Sequence, residues 1–494
     1  MLRRVGAGAR TMASMDHATD MEDIPVLVAG AGPAGLAAAI ELARRDVPVL
    51  LAERRTILSS HPRATVLSLR SMELMRAWGL EERVREHSAD VDSSMLLAAT
   101  MAEAAAGSSL PVGYPSREQS RVLSPVEPAC IAQDDVEPLL LAHLRGHSVA
   151  RVELGTELTG VRTGDDGALV TLRDVTTGEE RTVHARLLVA ADGARSAVRA
   201  ALGIALHGEE DLLTGFSTLF RAPLWDVVGE HRHLIYSMTR PEAPASFIPA
   251  GRSDRWLFGL RSEGPNAPDD RRAAELIRRG AGVPGLPLRI EGSRAFSSGA
   301  QLAEQFRSGP VFLAGDAAHR VTPRGGTGLN IALHDGYDLG WKLAWVLRDW
   351  ARPALLDTYE AERRPVAEYT VARSADPNGS IRAPEQEVHA DLGGRIPHVW
   401  AGERSTLDLL GAGLTLLAGR DGPDWEAAGS SLTARVPVDV RRLDAVAARA
   451  VGAGRSALLV RPDGQPAAVL PPAVEPALAL RAAVASVTAG RRVP

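Results

Sequence analysis

The sequence predicts an α/β fold: a Rossmann-like dinucleotide-binding domain, a noncontiguous second domain built on a β-sheet, and a C-terminal domain. Three observations predict it. The apolar run Ile24–Ala29 ends in Gly30-Ala31-Gly32-Pro33-Ala34-Gly35 and passes into an Ala/Leu-rich helical pattern. Two more apolar runs, Leu187–Ala191 and Val311–Ala314, end far downstream in Asp192-Gly193 and Gly315-Asp316. Between them lie strand-like stretches over about 212–262, and the texture changes again from about 376, after a Pro/Asn/Gly stretch.

The first unit has a chemical logic. In a strand–turn–helix that seats a pyrophosphate, Gly30 permits the turn, Gly32 lets backbone approach the phosphates, and Gly35 packs helix on strand. The helix start then offers free N–H groups and a partial positive charge to the anion. A second strand, Val47–Ala52, ends at Glu53, about twenty residues on, where a carboxylate holds a ribose hydroxyl. A loop at Ser59–Ala64 and helical patterns at Ser68–Trp78 and Asp134–Leu144 follow, with 102–121 read as an irregular excursion. Alternating stretches at Ala150–Leu154, Gly160–Arg162, Ala168–Asp174 and Arg181–Ala185 predict a small antiparallel meander. Leu213–Arg221, His233–Met238, Ala245–Pro249 and Trp256–Leu260 predict a separate sheet. A Gly-rich turn at 323–328 opens a long helix from about Asn330 to Arg348. Short strands at Leu414–Leu417, Val436–Val440 and Ala457–Arg461 mark the C-terminal domain.

Composition narrows the function. Lys+Arg total 56 and Asp+Glu 61, a formal net charge of −5, which gives no reason to expect nucleic acid or an acidic membrane as partner. Lys342 is the only lysine, and the many arginines read as coding bias rather than a binding device. Cys130 is the single cysteine, so no intramolecular disulfide or cysteine-cluster metal site can form; no metal is expected. No apolar run reaches the length of about 18 residues that a membrane span needs, and residues 1–22 lack the apolar core of a signal peptide. They read as a flexible extension or a misplaced start, and the expected location is cytoplasmic.

The three motifs in this order resemble the class A flavoprotein aromatic monooxygenases, the para-hydroxybenzoate hydroxylase family. The closer likeness is to bacterial polyketide and phenol hydroxylases with a thioredoxin-like C-terminal domain. The matching residues are Gly30–Gly35, then Ala191-Asp192-Gly193-Ala194-Arg195-Ser196 with Arg199, then Gly315-Asp316-Ala317-Ala318-His319 with Pro323–Asn330. Tyr359-Glu360-Ala361-Glu362-Arg363-Arg364-Pro365, Pro397-His398 and Ser405–Leu409 also match. The resemblance implies an FAD-binding domain from 23–100, 122–203 and 296–375, a substrate domain from 101–121 and 204–295, and a thioredoxin-like domain over 376–494. It implies non-covalent FAD, held through Gly30, Gly32, Pro33, Ala34 and Gly35. Glu53 would lie at the ribose, Arg63 near the pyrophosphate, Gln133 at the ribityl chain, Asp192 near FAD and passing nicotinamide, and Asp316 at a ribityl hydroxyl. Backbone N–H groups around Gly328, Leu329 and Asn330 would face the flavin ring, with Pro323 and Thr327 near its reacting edge. Thr327 stands where the family usually has Gln or Phe, and Ile331–Gly336 departs from the family's Gly-Ile-Gln-Asp-Ala.

The activity implied is NAD(P)H- and O2-consuming hydroxylation of a small aromatic substrate, polycyclic or phenolic, through a flavin hydroperoxide. With no second G-x-G-x-x-G before a helix, NADPH or NADH is expected as a transient co-substrate. A homodimer is compatible with the sequence. No catalytic side chain is assigned. Tyr236, Phe247, Trp256 and Phe258 are the candidate substrate contacts, set against their reading as core; His319 reads as a helix cap or core histidine. Alternative readings are Baeyer–Villiger insertion, oxidative inactivation of an aromatic antibiotic, or a flavoprotein that sequesters one.

Overall fold

The computed structural model of the protein describes residues 21–240, 244–262, 266–420, 423–472 and 474–490. The expected extension over 1–22 falls, through residue 20, outside the described residues, and the first strand begins at Glu22.

The central sheet runs Arg307–Ser308, Val311–Leu313, Glu180–Ala190, Glu22–Ala29, Val49–Glu53, Ala150–Leu154. From Val311–Leu313 to Ala150–Leu154 its neighbours are parallel. Such strands are covered on both faces, which explains their unbroken Val/Leu/Ala runs. Helix Pro33–Ala43 is buried along its whole length and packs on helix Gly328–Leu347. Their contact is backbone to backbone: a Cβ on Gly336 would fall 2.1 Å from the Ala34 carbonyl oxygen.

The expected meander is smaller than the pattern suggests. Ala150–Leu154 follows helix Gln133–Arg145 and pairs parallel with Val49–Glu53, as a crossover helix dictates. The antiparallel hairpin is Thr156–Thr163 with Ala168–Asp174. Glu180–Ala190 is one strand, antiparallel to the hairpin through Ala185, parallel to Glu22–Ala29 from Val183 on and parallel to Val311–Leu313 from Leu188 on.

The second sheet has eight strands: His319–Arg320, Arg289–Ala303, Leu206–Arg221, Arg255–Arg261, Ala245–Pro249, His233–Met238, Asp92–Ala98, Ser108–Pro111. Two expected boundaries move. Asp92–Ala98, placed by sequence in the FAD-binding segment ending at 100, pairs with His233–Met238 in this sheet. Arg289–Ala303 cannot be divided at 296, because its pairing with Leu206–Arg221 runs from Arg289 to Ala303. Nor is 102–121 irregular. It holds the strand Ser108–Pro111 and helix Arg117–Leu123, whose start is fixed by reciprocal bonds between Ser116 and Gln119.

In the C-terminal domain Leu414–Gly419 lies between the parallel strand Val438–Leu443 and the antiparallel Ala457–Val460, with Pro466–Leu470 beyond. Helices Trp425–Ser430, Ala445–Ala450 and Pro476–Thr488 complete the thioredoxin-like order. The domain shares an apolar core with the FAD-binding domain and also docks through charge. Arg395 Nε lies 2.9 Å from Glu73 Oε2, both residues buried. Arg461 grips Glu362 with two bonds of 2.8 Å. Lys342, with no exposed surface, donates to Asp338 at 2.7 Å and Glu362 at 2.8 Å. Burial opposes ionisation of Glu362, yet Arg461 and Lys342 outweigh it and bring the carboxyl down to about 2. No helix among the described residues is long and apolar enough to cross a membrane.

Candidate active site

The register of the parallel strands sets Ala52, Ala29, Ala190 and Leu313 in one row. The three glycine-bearing motifs therefore leave the sheet side by side at its carboxyl edge, where open α/β sheets bind ligands. Gly30 has φ +104°, and a Cβ there would fall 2.3 Å from the Ala191 carbonyl oxygen; on Gly35 it would fall 2.0 Å from that of Gly30. On Gly32 it would meet no heavy atom within 4 Å among the described residues. Helix Pro33–Ala43 starts there with no side-chain cap, and its first bond runs from Leu36 N–H to the Gly32 carbonyl. The N–H groups of Ala34 and Gly35 and the positive helix end are left for an anion. Glu53 closes the loop: its Oε2 accepts from Ala31 N–H at 2.9 Å and its Oε1 from Arg55 N–H at 2.9 Å.

Arg199 ties the second motif to the third by donating to the carbonyls of Ala194 at 3.1 Å and Ala317 at 3.0 Å. Asp192 Oδ2 accepts from Val198 N–H at 3.1 Å, while Oδ1 is buried with no partner among the described residues. A hydroxyl donor would satisfy it. Asp316 is 38 % exposed in its side chain, and among the described residues its only close cation is Arg63, 3.8 Å away and 61 % exposed. So loose a pair holds neither group in place. Gln133 is buried, donating to Glu137 Oε1 at 2.6 Å and, from its backbone, to the Ala64 carbonyl at 2.9 Å.

Behind Asp316 stands a group the sequence reading passed over. Asp335 Oδ2 accepts from Gly315 N–H at 3.0 Å and pairs with His319 Nε2 at 2.6 Å; Oδ1 accepts from Arg363 Nε at 2.7 Å. Burial opposes its ionisation, but His319 and the Arg363 guanidinium prevail and hold the carboxyl well below the usual range. His319 is thus a buried structural partner of the third motif, as its core reading expects.

The 323–328 turn is gripped carbonyl by carbonyl. Arg373 donates to Arg324 O at 3.2 Å and Arg382 to Gly325 O at 3.1 Å. Tyr114 and Asn330 Nδ2 donate to Gly326 O at 3.0 and 3.2 Å. Thr327 Oγ1 is occupied by Arg373 at 2.6 Å, so this departure from the family pattern is a tether. Asn330 is a clamp too, its Oδ1 accepting from Ser68 N–H at 2.8 Å and Ser71 Oγ at 2.7 Å. The first bond of helix Gly328–Leu347 runs from Ile331 N–H to the Thr327 carbonyl, which leaves the N–H groups of Gly328, Leu329 and Asn330 in an open first turn. Pro323, at the start of this turn, is exposed.

The aromatic candidates fall elsewhere. Tyr236, Phe247, Trp256 and Phe258 are buried in one core with Leu276 and Ile277 of helix Asp270–Ala281. Tyr236 spends its hydroxyl on the His231 carbonyl, 2.9 Å away. The structure thus sets them in packed core on the sheet face away from the motifs. Their strand neighbours take the other face, where Leu219, Ile248 and Leu257 cluster with Ala132, the residue before helix Gln133–Arg145. A one-residue step along a strand exchanges faces.

An anion cradle, an unpartnered carboxylate oxygen, a loosely paired aspartate and an open helix start converge on one edge, facing a second sheet. This is the constitution of a flavoprotein whose dinucleotide domain carries a substrate domain. Residues 23–374 match the FAD binding domain family, and 389–489 match the aromatic-ring hydroxylase C-terminal family. The chain is 34% identical to the tetracenomycin A2 monooxygenase-dioxygenase of Streptomyces glaucescens, over 90% of this chain and 92% of that one. It is 36% identical to an aklavinone 12-hydroxylase of Streptomyces peucetius, over 82% of this chain and 93% of that one. A crystal structure of aklavinone-11 hydroxylase with FAD and aklavinone superposes with a TM-score of 0.82 at 32% identity, covering 94% of this chain and 99% of that one. The chain belongs to the FAD-dependent aromatic-ring hydroxylases and is an FAD-dependent monooxygenase.

Proposed function

We propose that the protein hydroxylates a multi-ring phenolic or quinone-bearing aromatic molecule, consuming NAD(P)H and O2. The observation that carries this reading is the alignment of three FAD motifs in one row opposite the inner face of the second sheet. The named relatives support the ring class, since they act on tetracenomycin A2 and aklavinone.

Bound FAD supplies the oxygen-activating redox chemistry. The chain's own residues do the rest. The N–H groups of Gly32, Ala34 and Gly35 would take the diphosphate, Glu53 the adenosine ribose, Asp316 and Gln133 the ribityl chain, and Arg63 would assist at the diphosphate. Asp192 accepts from the cofactor or the passing nicotinamide. The N–H groups of Gly328, Leu329 and Asn330, at a helix start, would stabilise negative charge on the ring. The tethered turn would hold the ring, and the facing sheet would exclude water from it.

Substrate-stimulated NAD(P)H oxidation under labelled O2, with one labelled atom in a hydroxylated product, tests the reading. A ring-expanded product would replace hydroxylation by insertion, and no substrate-dependent oxidation would remove the enzymatic reading. The cofactor is expected to be non-covalent: acid precipitation should leave all flavin in the supernatant, and flavin retained in the pellet would contradict it. Asp316→Ala should weaken FAD binding about tenfold or more, since a hydrogen bond to a charged group is worth about 1.5–3 kcal/mol. Equilibrium dialysis reads this, and unchanged affinity would mean Asp316 is misassigned.

A further inference from the structure

The inner face of the second sheet is divided into two rows. Leu219, Leu257 and Ile248 pack under Ala132, while Ile235 and Met95 pack with Val66 and Cys130. Two residues along each strand, register sets Ser217, Gly259, Ser246 and Ser237 abreast. All four are half-buried. Gly259 sits mid-strand in the middle of an eight-stranded sheet, yet a Cβ there would meet nothing within 4 Å among the described residues. Glycine weakens a strand interior and marks a site of close approach by another group. Its strand neighbours Phe258 and Leu260 face the opposite core, so the emptiness lies on the inner side.

Arg294 flanks the row beside Ser217 and Leu97 flanks it beside Ser237, and at Ser217 the row meets the FAD-binding domain. Ser217 Oγ shares a hydrogen bond of 2.9 Å with His61 Nε2, on the segment between Glu53 and Arg63. Burial, and then the nearby positive charge of Arg294, lower the His61 pKa, so the imidazole is neutral near pH 7 and able to accept a proton.

We propose that Gly259 is the specificity-determining floor of the substrate site: its absent side chain, between Ser217 and Ser246, makes a flat bed for a multi-ring phenol or quinone. Four strands about 4.8 Å apart give a bed about 14 Å wide, floored by atoms no larger than a hydroxymethyl group. Ser217, Ser246 and Ser237 offer hydroxyls that both donate and accept, which suits ring oxygens in either phenol or quinone form. His61 closes the end beside the flavin domain. The proposal rests on the multi-ring reading above.

The test is Gly259→Val in the FAD-loaded enzyme, with Gly259→Ala as the smaller step. Valine suits a central strand, so the melting temperature and FAD affinity should hold or rise. Binding of aklavinone as a four-ring probe and catechol as a one-ring probe is followed by flavin fluorescence. Gly259→Val should weaken aklavinone binding by at least about tenfold, the scale of misfit by a methylene or more, and leave catechol unchanged; alanine should lie between. Parent-like aklavinone binding, or equal losses for both probes, would overturn the floor assignment and leave the multi-ring reading standing. A parent enzyme that binds catechol and no multi-ring phenol or quinone would instead overturn that reading and the proposal with it.

Discussion

Asp335→Ala should cost about 3–5 kcal/mol of stability, the scale of breaking a buried ion pair by removing one partner. The change strands the Arg363 guanidinium, His319 and the Gly315 N–H group together. Because Gly315 carries Asp316, FAD affinity should fall in parallel. Urea unfolding of the apoprotein and FAD titration read the two effects, and a loss under about 1 kcal/mol would show the network to be dispensable. The pH dependence has a definite sign. The folded carboxyl titrates well below its unfolded value of about 3.9, so in that window the unfolded chain binds more protons. The stabilisation is complete above about pH 5 and drains away as pH falls through about 4 toward the folded value. The parent should therefore lose stability steeply on acidification, and the alanine variant less so.

Removing residues 389–494 should leave no folded flavoprotein. The cut deletes Arg395, the buried partner of Glu73, and Arg461, the partner of Glu362. Asp338 and Glu362 would then share Lys342 alone. Trp345 would lose the Ala412 carbonyl that its indole N–H reaches at 3.0 Å, and Tyr337 the Pro462 carbonyl at 2.8 Å. Soluble yield, circular dichroism and flavin content measure the outcome. A yellow truncated protein with the parent's melting temperature would show that the domain is an appendage. The domain's support is mechanical and electrostatic, for it contains no cysteine and can run no dithiol chemistry.

How much of this was legible in the sequence followed the range of each interaction. The motif turns rest on local constraints, a positive φ at Gly30 or a close approach at Gly35, and these are written in a few adjacent residues. His233–Met238 and Ala245–Pro249 likewise end where their alternation ends. Alternation says that a strand has two faces, not what covers each. Tyr236 and Phe247 drew attention by size, yet size is what packs against helix Asp270–Ala281, and the modest Ser246 and Gly259 were left to the inner face. Partnerships set by the folded chain stayed invisible: Asp92–Ala98 finds His233–Met238 far along the sequence, and Arg373 finds Thr327. The glycine at 259, inside a strand of otherwise large residues, was the one available hint of the proposed bed.

The burial of Lys342 has a practical corollary. Its side chain has no exposed surface, and it is the sole lysine. Cys130, the sole thiol, is also buried, between the flavin domain and the second sheet, and burial pushes it up to about 12. The folded protein therefore presents neither a lysine amine nor a ready thiolate to acylating or alkylating reagents. Each becomes reactive only when its own interface opens. A succinimidyl ester and a maleimide, used together during gradual denaturation and read by peptide mass, would time the parting of the C-terminal domain and of the substrate sheet as separate events in unmodified protein.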